Sequence, residues 1–437
     1  MNIDLLLKGC TVLQVDPPRI IPKGAIAVDN GVIIDVCSVG KAPKFRAEET
    51  IDADGLVAIP GLVNCHTHVP MSIFRGTAED QQLEEWLTKS IWPLEARLTR
   101  SDVYYGALLG CLEMIKNGVT CFCDMYFYED AVVKAVEDAG LRAVLAPGII
   151  EAGDRERGEK MLDEAVRTFK RFNGSAKGRI RIWLGPHAVY TCSQDLLGRV
   201  REEASSLGTG IHIHLAESKE TVKLVKEMYG KSETFLLRDL KFLGSDVLVA
   251  HGIYLNLREI RCLAKYGVKV SYNPVSNMKL ASGVPRVHEL LENGVTVGLG
   301  TDGPASNNSL DMFDTMKMGA LLQKVYYRDP TVLPVRKCVE MATVEGAKAL
   351  GLEEYIGSLR PGKKADIILL NFKTPNLNPI HNLYANLVYS CRGCDVDTVI
   401  VDGKILMRNR KVLVLDENLV IKSAVKIAER IVSSSSR

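Results

Sequence analysis

The chain has 437 residues, 46% of them hydrophobic and 25% charged, with a formal net charge of +2. That is enough for one large domain and a smaller one of ordinary soluble composition. No basic block stands out and no apolar run reaches the roughly 18–20 residues of a membrane helix, which argues against nucleic acid and membranes as partners.

The N-terminus, MNIDLLLKGCTVLQVD, carries charges early and lacks a long apolar core, so it does not read as a signal peptide. Residues 1–56 hold short alternating strands, Ala25–Asp29 and Val32–Cys37, between Gly and Pro turns. From residue 57 to 362 one unit recurs: an apolar β-branched run, a polar loop, then a helical stretch. The predicted strands are Val57–His66, Val119–Asp124, Leu141–Ile149, Ile180–His187, Gly210–Leu215, Val247–His251, Val268–Asn273 and Val295–Asp302. Their near-continuous apolarity suits strands buried on both faces of a parallel sheet. The stretches between them show helical spacing, as in Tyr105, Leu108, Leu109, Leu112 and Ile115. Many end at a glycine placed for a left-handed cap: Gly118, Gly140, Gly208, Gly244, Gly267 and Gly294. Eight such units with right-handed crossovers close most simply into an α/β (β/α)8 barrel.

Residues 363–412 return to short strands (Ala365–Leu370, Thr398–Val401, Gly403–Met407), which predicts a small β-sandwich built from both termini. Residues 413–437 read as a C-terminal helix and a frayed tail at Ser433–Ser436. Eleven cysteines, an odd number without a disulfide-like framework, read as reduced thiols and point to the cytoplasm. Cys391 and Cys394 form a lone CxxC without the second pair a structural zinc site wants.

Polar residues gather at the C-terminal ends of the strands, where barrels of this type do chemistry. Strand one ends in His66-Thr67-His68, strand four in His187, strand five in His214 with Glu217 beyond, strand six in His251, strand eight in Asp302. Residues i and i+2 of a strand face the same way, so His66 and His68 can offer two nitrogens to one ion. His214 and Asp302 can approach from across the barrel. Three imidazoles and a carboxylate suit one divalent cation, Zn²⁺ first with Fe²⁺ or Mn²⁺ as alternatives, and an open position for water. Strand four has no lysine of the kind that bridges two metals, which favours a single ion. His212, deeper in strand five, reads as a core histidine, as do His288 and His381 as bland residues and Cys65 as packing. The long segment between His68 and Ser101, with Met71, Ile73, Phe74, Trp86, Trp92 and Leu94, has the length of a lid.

The segments Pro60–His68, Leu184–His187, His212–Glu217, Ala250–Gly252, Asn273–Gly283 and Gly300–Asn308 resemble the amidohydrolase superfamily. More narrowly they are similar to the methylthioadenosine/S-adenosylhomocysteine deaminase family, including archaeal 5′-deoxyadenosine deaminases. The resemblance implies hydrolytic deamination of 5′-modified adenosines to the inosine analogue and ammonia, with metal-activated hydroxide attacking C6. It implies metal ligands His66, His68, His214 and Asp302, and Glu217 as the acid that protonates N1. Asp302 would take the water's proton and pass it to ammonia, and His251 would orient the water. Glu95 would bind the ribose hydroxyls, and His187 would contact the nucleoside. A homo-oligomer, such as a tetramer, is a further implication. Arginines are expected to hold the amino-acid end of S-adenosylhomocysteine, and Arg155 and Arg157 are candidates that also read as a solvated loop. Rival readings are a guanine, cytosine or s-triazine hydrolase on the same metal site, and an inert scaffold barrel; the full ligand set argues against the last.

Overall fold

The computed structural model describes residues 2–41 and 45–433, so the expected tail lies, beyond Ser433, outside the described residues. Eight strands form the centre: β1 (Leu62–Thr67), β2 (Val119–Tyr126), β3 (Arg142–Ile149), β4 (Ile180–Ile182, resuming at Gly185–Pro186), β5 (Ile211–Leu215), β6 (Val247–His251), β7 (Lys269–Tyr272) and β8 (Val297–Leu299). They pair in parallel as two arcs in chain order, β1 to β4 and β5 to β8. Isolated parallel bridges, Leu184 to Ile211 and Ala188 to His214, join the arcs on one side. On the other, Asp302 N–H donates to the His66 carbonyl at 2.9 Å. The Asn64 side chain adds two bonds to Thr301, donating to Oγ1 at 2.7 Å and accepting from the amide at 3.0 Å. The helices between the strands cover the outside, which is why β1, β2, β5 and β6 are buried at every residue.

The helix stops behave largely as their glycines predict. Gly140, Gly208 and Gly267 are left-handed caps with φ of 78°, 62° and 69°. Gly244 is an exception. Lys241, with φ 55°, takes the left-handed turn after the helix Glu233–Asp239, and Gly244 is not in that region. The predicted first strand is also two strands. Leu56–Pro60 pairs antiparallel with Ile367–Asn371 and parallel with Thr11–Leu13, outside the barrel. The chain then changes sheets at Gly61, where a Cβ would lie 2.1 Å from Thr120 Oγ1. Apolar patterning is the same in both halves, so periodicity alone could not reveal the break.

The flanking segments form a four-stranded sheet from residues 2–52 and a seven-stranded sheet that draws on both ends of the chain. Leu5, Leu7, Ile26, Ile33, Ile367, Leu369 and Ile400 share one apolar cluster apart from the main core. The helix Glu417–Ser433 follows and joins the helix Arg100–Lys116 through a 2.7 Å Lys116–Glu417 ion pair. Among the described residues no helix is long and apolar enough to cross a membrane.

One buried ion pair joins the barrel to the C-terminal segment. Arg142, opening β3, donates from Nε and Nη2 to the two carboxylate oxygens of Asp366 at 2.8 and 3.0 Å. Both side chains are at most 5% exposed, and Asp366 also accepts from the Asp402 amide. A forked guanidinium–carboxylate contact in so dry a place tolerates the loss of neither partner. Asp366→Ala is therefore expected to cost about 3–5 kcal/mol in urea unfolding. A loss near 1 kcal/mol would show that water reaches the pair.

Candidate metal and catalytic site

Five of the sequence-predicted residues converge at the C-terminal mouth of the ring. Asp302 Oδ1 lies 3.3 Å from His66 Nε2 and 3.4 Å from His68 Nε2. His66, His68 and His214 form one group of potential ligand atoms within 4.8 Å of one another, and His66, His251 and Asp302 form another. The Nε2 atoms of His66 and His251 are buried without a hydrogen-bond partner. A buried, unpaired nitrogen lone pair is costly unless a cation completes it, so the donor set fits a divalent metal. His251 stands as close to this centre as the expected ligands do.

Each imidazole is turned by a bond on its other nitrogen. His68 Nδ1 meets the Met125 carbonyl at 2.6 Å, and His214 Nδ1 meets the His187 carbonyl at 2.8 Å. Carbonyls only accept, so both rings carry hydrogen on Nδ1 and present a bare Nε2. His251 Nδ1 bonds Asn277 Oδ1 at 2.9 Å, and Ser276 donates to Asp302 Oδ2 at 2.6 Å. Ser276 and Asn277 were missed as site residues, although the polar run following strand seven was visible. His187 holds His214 through its backbone, a role its side chain could not announce; its own Nδ1 meets Thr191 Oγ1 at 2.9 Å. His212 is buried as expected, yet its ring touches His66.

Burial sets the charges. It lowers His66 to a pKa of about 4 and His187 to about 3, and depresses His68 and His214 as well. Neutral imidazoles are the form a metal accepts. Burial by itself would raise Asp302, but a proton entering the cluster goes to the imidazoles before the carboxyl, which is held well below its usual range. Burial raises Glu217, whose Oε1 lies 3.6 Å from His251 Nε2. Three residues here, Ala216, His251 and Asp302, have φ of 50°, 73° and 62°, a region that non-glycine residues rarely hold.

The cluster floors a partly open pocket. Met71, Leu83, Trp86, Trp92 and Leu280 line its walls, with Glu95 and His187 facing in. Of the expected lid residues, Ile73, Phe74 and Leu94 instead enter the core. Enclosure raises Glu95 to about 7 against the pull of the Tyr126 hydroxyl. Beyond Trp92 and Phe127 opens a wider outer groove that includes Arg157, whereas Arg155 is exposed and paired with Asp195. His288 pairs with Glu292 on an outer helix, His381 is exposed, Cys65 packs in the core, and all eleven cysteines are free.

A model of the amidohydrolase family matches residues 57–406. The chain belongs to the amidohydrolase family. Among similar amidohydrolases, a 5′-deoxyadenosine deaminase of Methanosarcina acetivorans is 50% identical over 431 residues, covering 98% of this chain and 99% of the relative. A 5-methylthioadenosine/S-adenosylhomocysteine deaminase of Desulforudis audaxviator is 49% identical, covering 94% and 95%. The crystal structure of a zinc-bound adenosine deaminase from Xanthomonas campestris superposes with a TM-score of 0.95 at 31% identity, covering 98% and 99%.

The backbone of β8 must pass very close to this site. A Cβ on Gly300 would lie 2.4 Å from Asn273 Oδ1, 2.5 Å from Ser271 Oγ and 3.0 Å from His66 Cβ. Gly300→Ala is expected to destabilise by about 1–3 kcal/mol and to lower the metal retained per chain. Unchanged denaturation and metal content would mean that the mouth is looser than these distances imply.

Proposed function

We propose that this amidohydrolase hydrolyses the 6-amino group of 5′-modified adenosines, namely 5′-deoxyadenosine, methylthioadenosine, S-adenosylhomocysteine and adenosine. The products are the inosine analogue and ammonia. The observation that carries the reading is a buried carboxyl group, Glu217, its pKa raised by burial, beside imidazoles that burial keeps neutral and an ionised aspartate, at the floor of one pocket. The names of the near-full-length relatives support the substrate class.

One divalent ion is held by His66, His68, His214 and Asp302. Zn²⁺ is the first choice because the solved adenosine deaminase carries it, with Fe²⁺ and Mn²⁺ as alternatives. Bound there, the ion would act as a Lewis acid that makes hydroxide available near neutral pH. Purine C6 accepts a nucleophile only as N1 gains a proton, and Glu217, whose pKa burial raises, delivers it. Asp302 takes the proton released from water and returns it to the departing nitrogen. His251, locked by Asn277, keeps Nε2 turned toward the reacting centre. Glu95 accepts from the ribose hydroxyls, His187 contacts the nucleoside, and the apolar wall of Met71, Trp86 and Trp92 excludes bulk water. The 5′ substituent extends toward the outer groove. The two flanking sheets act as one small β-sandwich (residues 1–56 and 363–412) around a barrel of residues 57–362, followed by the C-terminal helix and tail (413–437).

The test is ammonia release from the four adenosine derivatives, set against guanine, cytosine and a chlorotriazine. Turnover of adenosine derivatives is expected, lost on chelation and restored by Zn²⁺. Glu217→Gln should lower kcat by about 10²–10⁴-fold. No turnover of any adenosine derivative refutes the substrate assignment; turnover of guanine, cytosine or the triazine instead would install that rival.

Glu95 generates a pH prediction. It accepts ribose hydroxyls fully only as a carboxylate, and its pKa is raised to about 7. Nucleoside affinity should therefore rise as pH increases through about 7 and weaken on acidification. Glu95→Gln is expected to raise KM and abolish that limb of the kcat/KM profile. A limb that survives the substitution belongs to another group.

A further inference from the structure

We propose that His212 is a positioning residue for the metal centre, setting which nitrogen of His66 is bare. The inference rests on the reading of His66 as a metal ligand.

His212 is fully buried in β5 and offers no atom to the cavity. Its Nδ1 lies 3.2 Å from the Leu248 carbonyl on β6, and its Nε2 lies 2.8 Å from His66 Nδ1. The bonding admits one proton arrangement. The Leu248 carbonyl can only accept, so the His212 proton sits on Nδ1. A neutral imidazole has one N–H, so His212 Nε2 is an acceptor. His66 must then carry its own proton on Nδ1, which leaves Nε2 as a lone pair. That Nε2 is the buried nitrogen without a partner, 3.3 Å from Asp302.

The other two histidine ligands obtain the same tautomer directly from a carbonyl, at Met125 and His187. The His66 ring instead reaches its carbonyl through an intervening imidazole, both N–H groups donating in the same direction, toward Leu248. In β5, residues 212 and 214 face the same way, so one strand supplies a ligand and, one layer deeper, the support for a ligand on β1. This explains why two histidines alternate in a strand where only one belongs to the donor group.

Side chains of different reach separate this role from simple core filling. A glutamine places its carbonyl oxygen near the position of the imidazole Nε2, where it can accept from His66. An asparagine reaches only the Nδ1 position, and leucine reaches neither with a polar atom. His212→Gln is therefore expected to keep wild-type metal retention. His212→Asn and His212→Leu should release Zn²⁺ to a chromogenic chelator about 10–100-fold more readily. They should also show altered visible bands when loaded with Co²⁺. Equal retention in all three variants overturns the proposal, and so does a glutamine variant as impaired as asparagine, because that pattern reports packing alone. Should the variants fail to fold, ¹⁵N NMR of histidine in the Zn²⁺-loaded wild type reads the tautomer directly. A proton on His212 Nδ1 supports the relay, and one on Nε2 overturns it. A wild-type protein that takes up no divalent ion refutes the metal reading itself, and this inference with it.

Discussion

Four imidazoles and a carboxylate crowd together at the mouth of the ring, and the arrangement depends on burial keeping His66, His68 and His214 uncharged. His66, His68, His214 and His251 have ring centroids 4.8 to 5.6 Å apart around the His66–His214 pair. Positive charge on several rings at that spacing, with almost no water, would be strongly repulsive. Burial removes the protons from the bare nitrogens, and bonds on the opposite nitrogens decide which way the lone pairs face. Asp302 supplies the single negative charge that the cluster tolerates. Everything else about the mouth can be read as a means of holding these groups against relaxation.

The backbone shares in that task. Ala216 lies between His214 and Glu217, in a left-handed conformation that is costly for a residue with a Cβ. Its amide donates to Glu233 Oε2 at 3.0 Å, and its carbonyl accepts from the amides of Ile253 and Tyr254. The turn therefore cannot relax without breaking three bonds. The same logic applies at Asp302, whose carboxylate takes the Gly303 amide and the Ser276 hydroxyl. The lone pairs not used by these donors remain free for a cation and a proton. Strain at the mouth is stored where the ring is most rigid, between strands whose every residue is buried.

The flanking sheets brace the opposite flank of this machine. Leu56–Pro60 runs directly into β1, so the strand carrying His66 and His68 begins in the seven-stranded sheet and ends in the site. The Gly61 amide donates to the Asp366 carbonyl at 3.0 Å, next to the buried Arg142 pair. A disturbance of the C-terminal segment thus has a short mechanical path to His66 and His68.

The parallel α/β core, most of its strands and the convergence of His66, His68, His214, His251 and Asp302 were legible in the linear chain, because strand period and helix caps are local properties. A side chain's strand and its place at the strand end follow from counting residues. What counting could not decide was the break at Gly61, since both halves are equally apolar and only the approach of Thr120 turns the chain. Nor could it separate His212 from His214, or find Ser276, Asn277 and the carbonyls of Met125 and His187. Those groups act through one hydrogen bond apiece to residues 26 to 146 positions away. Sequence by itself determined which chemical groups were available and on which elements they ride. The tertiary structure alone decided which nitrogen each imidazole presents, because a tautomer is set by the partner across the fold.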